Sequence, residues 1–203
     1  LNIDKNGISD SWKFSRIKKR IDYRSREKKL LELLEKYRGR GEFDCVVPGS
    51  GGKDSCYAAH ILKYKYGMNP LTVTWPPILY TNYGLKNFKN WIKSGNFENI
   101  SAKRNEYFFK TLTKLSIENL LHPFQTFILG QKNFAPKIAH KFNIPLVFYG
   151  ENEAEHGNPI SDNQSSLRDK SYFVFKNFKD LRLGGIKIVD LMKKYNFKYK
   201  DFE

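Results

Sequence analysis

Cysteine is scarce in this chain: Cys45 and Cys56 are the only two in 203 residues, and they flank a glycine-rich stretch without forming a C-x-x-C pair. That excludes a disulfide-framed secreted fold and points to a reducing compartment. No apolar run approaches the ~18 residues a membrane helix needs. The first 30 residues hold no apolar core between a basic start and small residues. The expected location is therefore cytoplasmic. Acidic residues are also few, 21 Asp+Glu against 36 Lys+Arg, for a formal charge of +15. Aromatic residues are not scarce: at 15% they argue against a disordered chain, because disorder requires too little apolar surface to fold. A chain of this length is one ordinary domain with a sizeable core.

The charge has two readings. One is a basic face for nucleic acid, centred on the densest run, Lys13 to Lys29. The other is a Lys-, Asn- and Phe-rich composition whose cations are a solvated surface. The chain begins at Leu1 and stops at Glu203 soon after a helix-like run, which leaves its completeness at both ends open.

Apolar spacing predicts an amphipathic helix from Ser25 to Arg38, with Leu30, Leu33, Leu34 and Tyr37 on one face and Gly39 as its stop. A short β-forming run, Phe43 to Val47, leads into Pro48-Gly49-Ser50-Gly51-Gly52, and a helical pattern from Asp54 to Tyr66 ends at Gly67. Leu71 to Trp75 reads as a second strand. Leu85, Phe88, Trp91 and Ile92 mark a helix closing at Gly95, and Asn99 and Ile100 lie in a weak third strand. Helical stretches follow at Arg104 to Leu121 and at Pro123 to Phe142, the latter expected to bend or divide at Pro136. Pro145 to Gly150 reads as the fourth and clearest buried strand. Asn152 to Lys170 is polar and aperiodic, a loop, and Ile186 to Tyr195 is a last helix after Gly184-Gly185. Strands alternating with long helices require crossovers between parallel neighbours. The expected class is α/β, doubly wound, with a mainly parallel sheet covered on both faces. The expected division is a basic leader and amphipathic helix over residues 1–40, and a nucleotide-binding domain over 41–203.

The chemistry concentrates in Ser50-Gly51-Gly52-Lys53-Asp54-Ser55. Glycines let a backbone approach a ligand closely, and the helix that starts beside them adds a positive N-terminal end, so the loop is an anion cradle suited to phosphate. Ser50 and Ser55 offer hydroxyls, and Lys53 a mobile cation. Asp54 is either the N-cap of the helix or a carboxylate near the magnesium that accompanies ATP. The spacing fits neither G-x-x-x-x-G-K-[ST] nor G-x-G-x-x-G. It matches S-G-G-x-D-S and so resembles the PP-loop ATP pyrophosphatases. Cys45 and Cys56 read as small buried residues rather than as thiolate nucleophiles.

From Asp22 through Asn158, about two thirds of the chain, the sequence resembles the N-acetyl sugar amidotransferases of bacterial surface-polysaccharide and flagellin-glycan biosynthesis, including lipopolysaccharide O-antigen. The resemblance rests on FDCVVPGSGGKDS, on LTVTWPPILYTNYGLKNFKNWIKSGNFENI and on PFQTFILGQKNFAPKIAHKFNIPLVFYGENEAEHGNP. It implies ATP-dependent conversion of the N-acetyl group of a nucleotide-linked sugar to an acetamidino group. The cofactors it implies are ATP and Mg2+. The partners are a glutaminase subunit similar to the one serving imidazole glycerol phosphate synthase, which would supply ammonia, and a cyclase-like third subunit.

By the same resemblance Ser50, Gly51, Gly52, Lys53, Asp54 and Ser55 bind the pyrophosphate, and Val73, Thr74 and Trp75 lie near adenine. Lys53, Asp54, Glu151 and Asn152 are the expected catalytic group, with Glu151 touching magnesium or substrate and Asn152 positioning the amide. Gln131 and His156 are candidate substrate contacts, each with a plain structural reading beside it. Where the family carries a zinc-like G-x-C-x-x-C knuckle, this chain reads Gly7-Ile8-Ser9-Asp10-Ser11-Trp12, so a four-cysteine zinc site is not expected. The alternative function is a PP-loop enzyme that adenylates a tRNA base for thiolation or lysidine formation. A non-catalytic nucleotide-binding subunit is a third.

Overall fold

The computed structural model describes residues 3–151 and 177–202. The polar loop expected from Asn152 to Lys170 lies outside them, as do Asn152 and His156. Among the described residues no helix is long and apolar enough to cross a membrane.

Three short strands, β1 (Cys45–Pro48), β2 (Pro70–Thr74) and β3 (Asn99–Ser101), form a parallel sheet in the order β1-β2-β3. Register pairs Val46 with Leu71 and Val73 with Ile100, so successive residues face opposite layers. Cys45 and Val47 pack with Leu34, Ala59, Leu62, Met68, Trp91 and Phe97. These come from helices α2 (Tyr23–Tyr37), α3 (Lys53–His60) and α4 (Asn82–Gly95) and the chain beside them. Val46, Leu71 and Val73 pack on the other face with Ala135, Ile138 and Ala139 of helix α6 (Gln125–Lys141). The fold is α/β with helices on both faces of a small parallel sheet.

The expected fourth strand is present only in outline. Val147 bridges Val46 in parallel, Val46 N–H donates to Leu146 O at 2.8 Å, and Phe148 N–H donates to Val46 O at 2.8 Å. Leu146, Val147 and Phe148 are half-buried rather than buried. Leu146 O and Phe148 N–H face β1, so the next rung toward the carboxyl end would need an N–H from Pro48, which has none, and pairing stops at one residue. Its side of β1 is nonetheless the side away from β2. The parallel order is thus β3, β2, β1 and the 145–150 segment.

α2 begins at an Asp22 cap whose carboxylate accepts from Arg24 and Ser25 N–H at 3.0 and 3.2 Å. Its Leu34 is fully buried and Leu30 packs beside it, but Leu33 remains 39% exposed. The inward stripe therefore runs along 27-30-34-37. Glu27 on that stripe accepts from Lys65 at 2.7 Å and Tyr66 OH at 3.0 Å. Asp44 closes the corner below, accepting from Gly39 N–H at 2.6 Å and Asn69 N–H at 2.7 Å. A preceding helix, α1 (Asp10–Lys18), was hidden in the basic run and is capped by Ser9.

α3 continues into a wider turn over Ile61–Lys65, where Tyr66 N–H reaches Ile61 O at 3.0 Å. α6 is a single helix with Pro136 inside it, not two. Ala135, Ile138 and Ala139 around the proline are buried against the sheet, and this packing offsets the one backbone bond that proline deletes. α5 (Glu106–Leu120) carries a third cluster in which Phe108, Leu112 and Leu115 meet Leu183, Ile188, Leu191 and Phe197. Arg182–Leu183 (β4) and Ile186–Lys187 (β5) pair around Gly184 and Gly185, both at positive φ (57° and 78°). This tight hairpin requires glycine, and it shortens the expected last helix to α7, Ile188–Tyr195.

Candidate functional site

β1 ends at Pro48, and the next six residues turn the chain back into α3. Gly49 N–H donates to Val73 O at 2.9 Å, tying the loop to β2. A Cβ on Gly49 would lie 2.5 Å from Trp91 Cη2 and 2.7 Å from Ser55 Oγ, so the loop rests directly on the α4 indole. Gly51 adopts φ +91°, and a Cβ there would lie 2.6 Å from Phe88 N. Both positions demand glycine, one for space and one for conformation as well. Gly52 differs: it is exposed at φ −74°, and a Cβ would meet nothing within 4 Å. The loop is open to approach at that position.

Gly52 is the N-cap of α3, and among the described residues no side chain caps this helix, whereas Asp22, Thr81 and Asn105 cap α2, α4 and α5. Asp54 is thus inside the first turn rather than at the cap. The first N–H groups of α3 face outward with the positive end of the helix behind them, which is the geometry an anion needs. Ser55 Oγ donates back to Gly52 O at 3.1 Å. Lys53 Nζ and Asp54 Oδ1 are 2.6 Å apart, both well exposed (88% and 50%). A pair so solvated contributes little to stability, and its partners can be exchanged for a ligand's charges at small cost.

The 145–150 segment closes the other side. A Cβ on Gly150 would lie 2.5 Å from Ser55 N and 2.6 Å from the Asp54 carbonyl carbon, so its backbone sits against the first turn of α3. Glu151 follows, exposed at the same edge. Ser50 to Ser55, Val73 to Trp75, and Gly150-Glu151 therefore meet at the carboxyl ends of the strands, where β1 has parallel neighbours on both sides. Gln131 is exposed on α6 beside Gly130, whose Cα abuts the Trp75 indole. Val73 and Thr74 face inward: Val73 packs against α6, and Thr74 Oγ1 accepts from Asn99 Nδ2 at 3.0 Å. Of these three, only Trp75 is partly exposed.

Gly49, Phe88 and Trp91 as the floor of the loop, and Gly150 as its wall, went unassigned in the sequence; the Pro-Gly-Ser-Gly-Gly run was the available signal for the first. Burial pushes the Cys45 thiol up to about 12, and it raises that of Cys56 too, so neither is an activated thiolate. Among the described residues no three His, Cys, Asp or Glu side chains converge as a metal site. The carboxylates of Asp54 and Glu151 suit Mg2+ that is held chiefly by phosphate oxygens. A cleft at the opposite, amino edge, between Arg40, Asp44, Phe142 and Pro145, has a volume of about 60 Å³, too small for a nucleotide. Comparison of the sequence with protein-family models and with curated proteins gives no match.

Proposed function

We propose that this chain is an ATP pyrophosphatase of the PP-loop type with a doubly wound fold, acting as an ATP-dependent amidotransferase on a nucleotide-linked N-acetyl sugar. The observation that carries the reading is the uncapped N-terminus of α3, reached through Gly51 and Gly52 and walled by Gly150. It lies where strand order reverses around β1, the usual ligand crevice of open α/β sheets.

In this reading the loop N–H groups and the Ser50 and Ser55 hydroxyls hold the β,γ-phosphates, and Lys53 turns from Asp54 toward them. Mg2+, shared with Asp54 and Glu151, would neutralise phosphate charge. The acetamido oxygen of the sugar attacks the α-phosphorus; that P–O bond forms as the bond to pyrophosphate breaks, giving an O-adenylyl imidate. Ammonia adds to the imidate carbon, loses a proton, and expels AMP, leaving the acetamidino group. Holding both reactants at one edge supplies the orientation such a displacement needs. Two inert thiols do not suit sulfur transfer, and ammonia would come from a glutaminase partner, with a cyclase-like third subunit.

The test is pyrophosphate release from ATP with ammonium chloride and a panel of nucleotide-linked N-acetyl sugars, with total tRNA in parallel, followed by product mass. Sugar-dependent release with a product about one mass unit lighter, as replacement of oxygen by NH requires, supports the reading. Release with tRNA alone overturns it in favour of RNA modification, for which the exposed basic helices α1 and α2 would be the binding face. Asp54→Asn should abolish release in either case.

A further inference from the structure

Arg104 leaves the carboxyl end of β3 at the same edge as the phosphate loop. Its guanidinium is half-buried: Nη2 donates to Pro77 O at 2.7 Å, and the group lies 5.3 Å from the centroid of the Phe109 ring. Phe109 also meets Trp75 edge-on at 5.4 Å. Among the described residues Arg104 has no carboxylate partner. Glu106, whose charge it feels, is hydrogen-bonded to Lys110 at 3.1 Å. Burial lowers the pKa of Arg104 below its ordinary range and raises that of the neighbouring Tyr80 hydroxyl.

A half-buried cation with no counter-ion among the described residues is stabilised when an anion arrives to complete it. Among the described residues one acceptor occupies a fork that carries five donors in a plane suited to phosphate. The Trp75 indole N–H, on the same aromatic cluster, is likewise buried with no acceptor among the described residues. The surface is continuous with the loop, since Tyr80 lies against Phe88 with ring centroids 6.1 Å apart and Phe88 carries the backbone that Gly51 abuts. β3 stands two strand spacings from β1, about 10 Å, so Arg104 flanks the loop rather than belonging to the first turn of α3.

We infer that Arg104 is the phosphate-recognition residue of a second subsite, one that holds the nucleoside diphosphate carrier of the acceptor rather than ATP. The inference rests on the function proposed above and names the group by which that site would select its substrate. Arginine suits the role better than lysine because its planar fork bonds two phosphate oxygens at once.

The experiment measures dissociation constants of UDP, uridine and ATP by calorimetry for the full chain and for Arg104→Met and Arg104→Lys. Arg104→Met should weaken UDP by about ten-fold or more while uridine and ATP stay within about two-fold, and Arg104→Lys should recover part of the loss. Parallel losses of UDP and uridine would overturn the inference, because they would mean that Arg104 only pins the loop through Pro77. So would a loss confined to ATP, or a native chain that does not prefer UDP over uridine. Should Arg104→Met fail to fold, Arg104→Lys decides, since an unchanged ratio of UDP to uridine affinity in a folded variant refutes the role. Failure of the underlying function reads out separately, as ATP binding that is insensitive to Gly52→Ala.

Discussion

Gly150→Ala tests whether the outlying strand segment and the phosphate loop form one site. The new Cβ would sit 2.5 Å from Ser55 N and 2.6 Å from the Asp54 carbonyl carbon, whereas ordinary contact begins near 3.4 Å. The two surfaces must therefore part by 3.4 − 2.5, about 0.9 Å, and both are backbone, so no side chain can turn aside. Overpacking of this kind costs about 1–3 kcal/mol. A displacement of about 1 Å at reacting groups costs on the order of 10²-fold in rate. Gly52→Ala is the matched control, because its Cβ enters open space at an ordinary φ of −74°. Lost N-cap preference and reduced unfolded-state entropy oppose each other there, leaving stability within about 1 kcal/mol. Urea melts and pyrophosphate release on both variants give the answer. Gly150→Ala should lose stability and activity together, and Gly52→Ala should lose activity alone. Full activity in Gly52→Ala would mean the open face at Gly52 is not where phosphate sits, and a Gly150→Ala protein with native melt and rate would refute the contact altogether.

Other outcomes follow from single contacts. Leu34→Ala, at a fully buried α2 position, should cost about 2–5 kcal/mol in urea melts; a cost below about 1 kcal/mol would mean α2 is dispensable to the core. Asn99 Nδ2 donates to Thr72 and Thr74 hydroxyls at 3.0 Å each, both fully buried. Asn99→Ala should destabilise by about 1–3 kcal/mol through the orphaned acceptor, and an unchanged melt would show that another donor reaches Thr74. Lys65 beside Glu27 holds that carboxyl below its ordinary value of 4.5. The stabilisation is therefore present above the unfolded pKa and fades as pH falls through the lowered folded one. Melts of Glu27→Gln and the native chain should differ near pH 7 and converge in acid; a gap that persists at pH 2 would remove the ion pair as its cause.

Local signals were legible where one residue type decides one feature. The turn between β1 and α3 could be read from its glycines and the α3 helix from its period, and the stop at Gly67 is a left-handed residue at φ 63°. What failed depended on neighbours distant in sequence. Leu33 satisfied a helical spacing, but the groove between α3 and the sheet accepts only the stripe through Leu30 and Leu34. PLVFYG is as apolar as a buried strand, yet one-sided pairing with β1 leaves it half-exposed. Pro136 was read as a breaker because its cost is local and the packing that outweighs it is not. At the candidate site, Ser50 to Ser55 stood out by spacing, whereas Arg104 gave no signal at all: one arginine in a chain with 36 Lys+Arg is conspicuous only once its burial, and the lack of a carboxylate partner among the described residues, are visible.

The single-residue joint between β1 and the 145–150 segment is also the wall of the candidate site, so a ligand seated there would make binding and local order one equilibrium. Among the described residues the two bonds of Val46, to Leu146 O and from Phe148 N–H, are the backbone bonds that hold the segment to β1. A phosphate seated between α3 and Gly150 would bind the closed form and not the open one. At ligand concentrations 100 times Kd such a preference adds about 2.7 kcal/mol to the closed state. The Phe148 amide should therefore exchange about 100-fold more slowly with saturating ATP if its exchange passes through this local opening. The Thr72 amide, bonded to Glu98 O on the far side of β2, should change less. Hydrogen exchange by NMR or mass spectrometry separates the two positions. Measurable ATP binding with no slowing at Phe148 would mean that the nucleotide does not bridge α3 and the 145–150 segment, and the site would then be the loop alone.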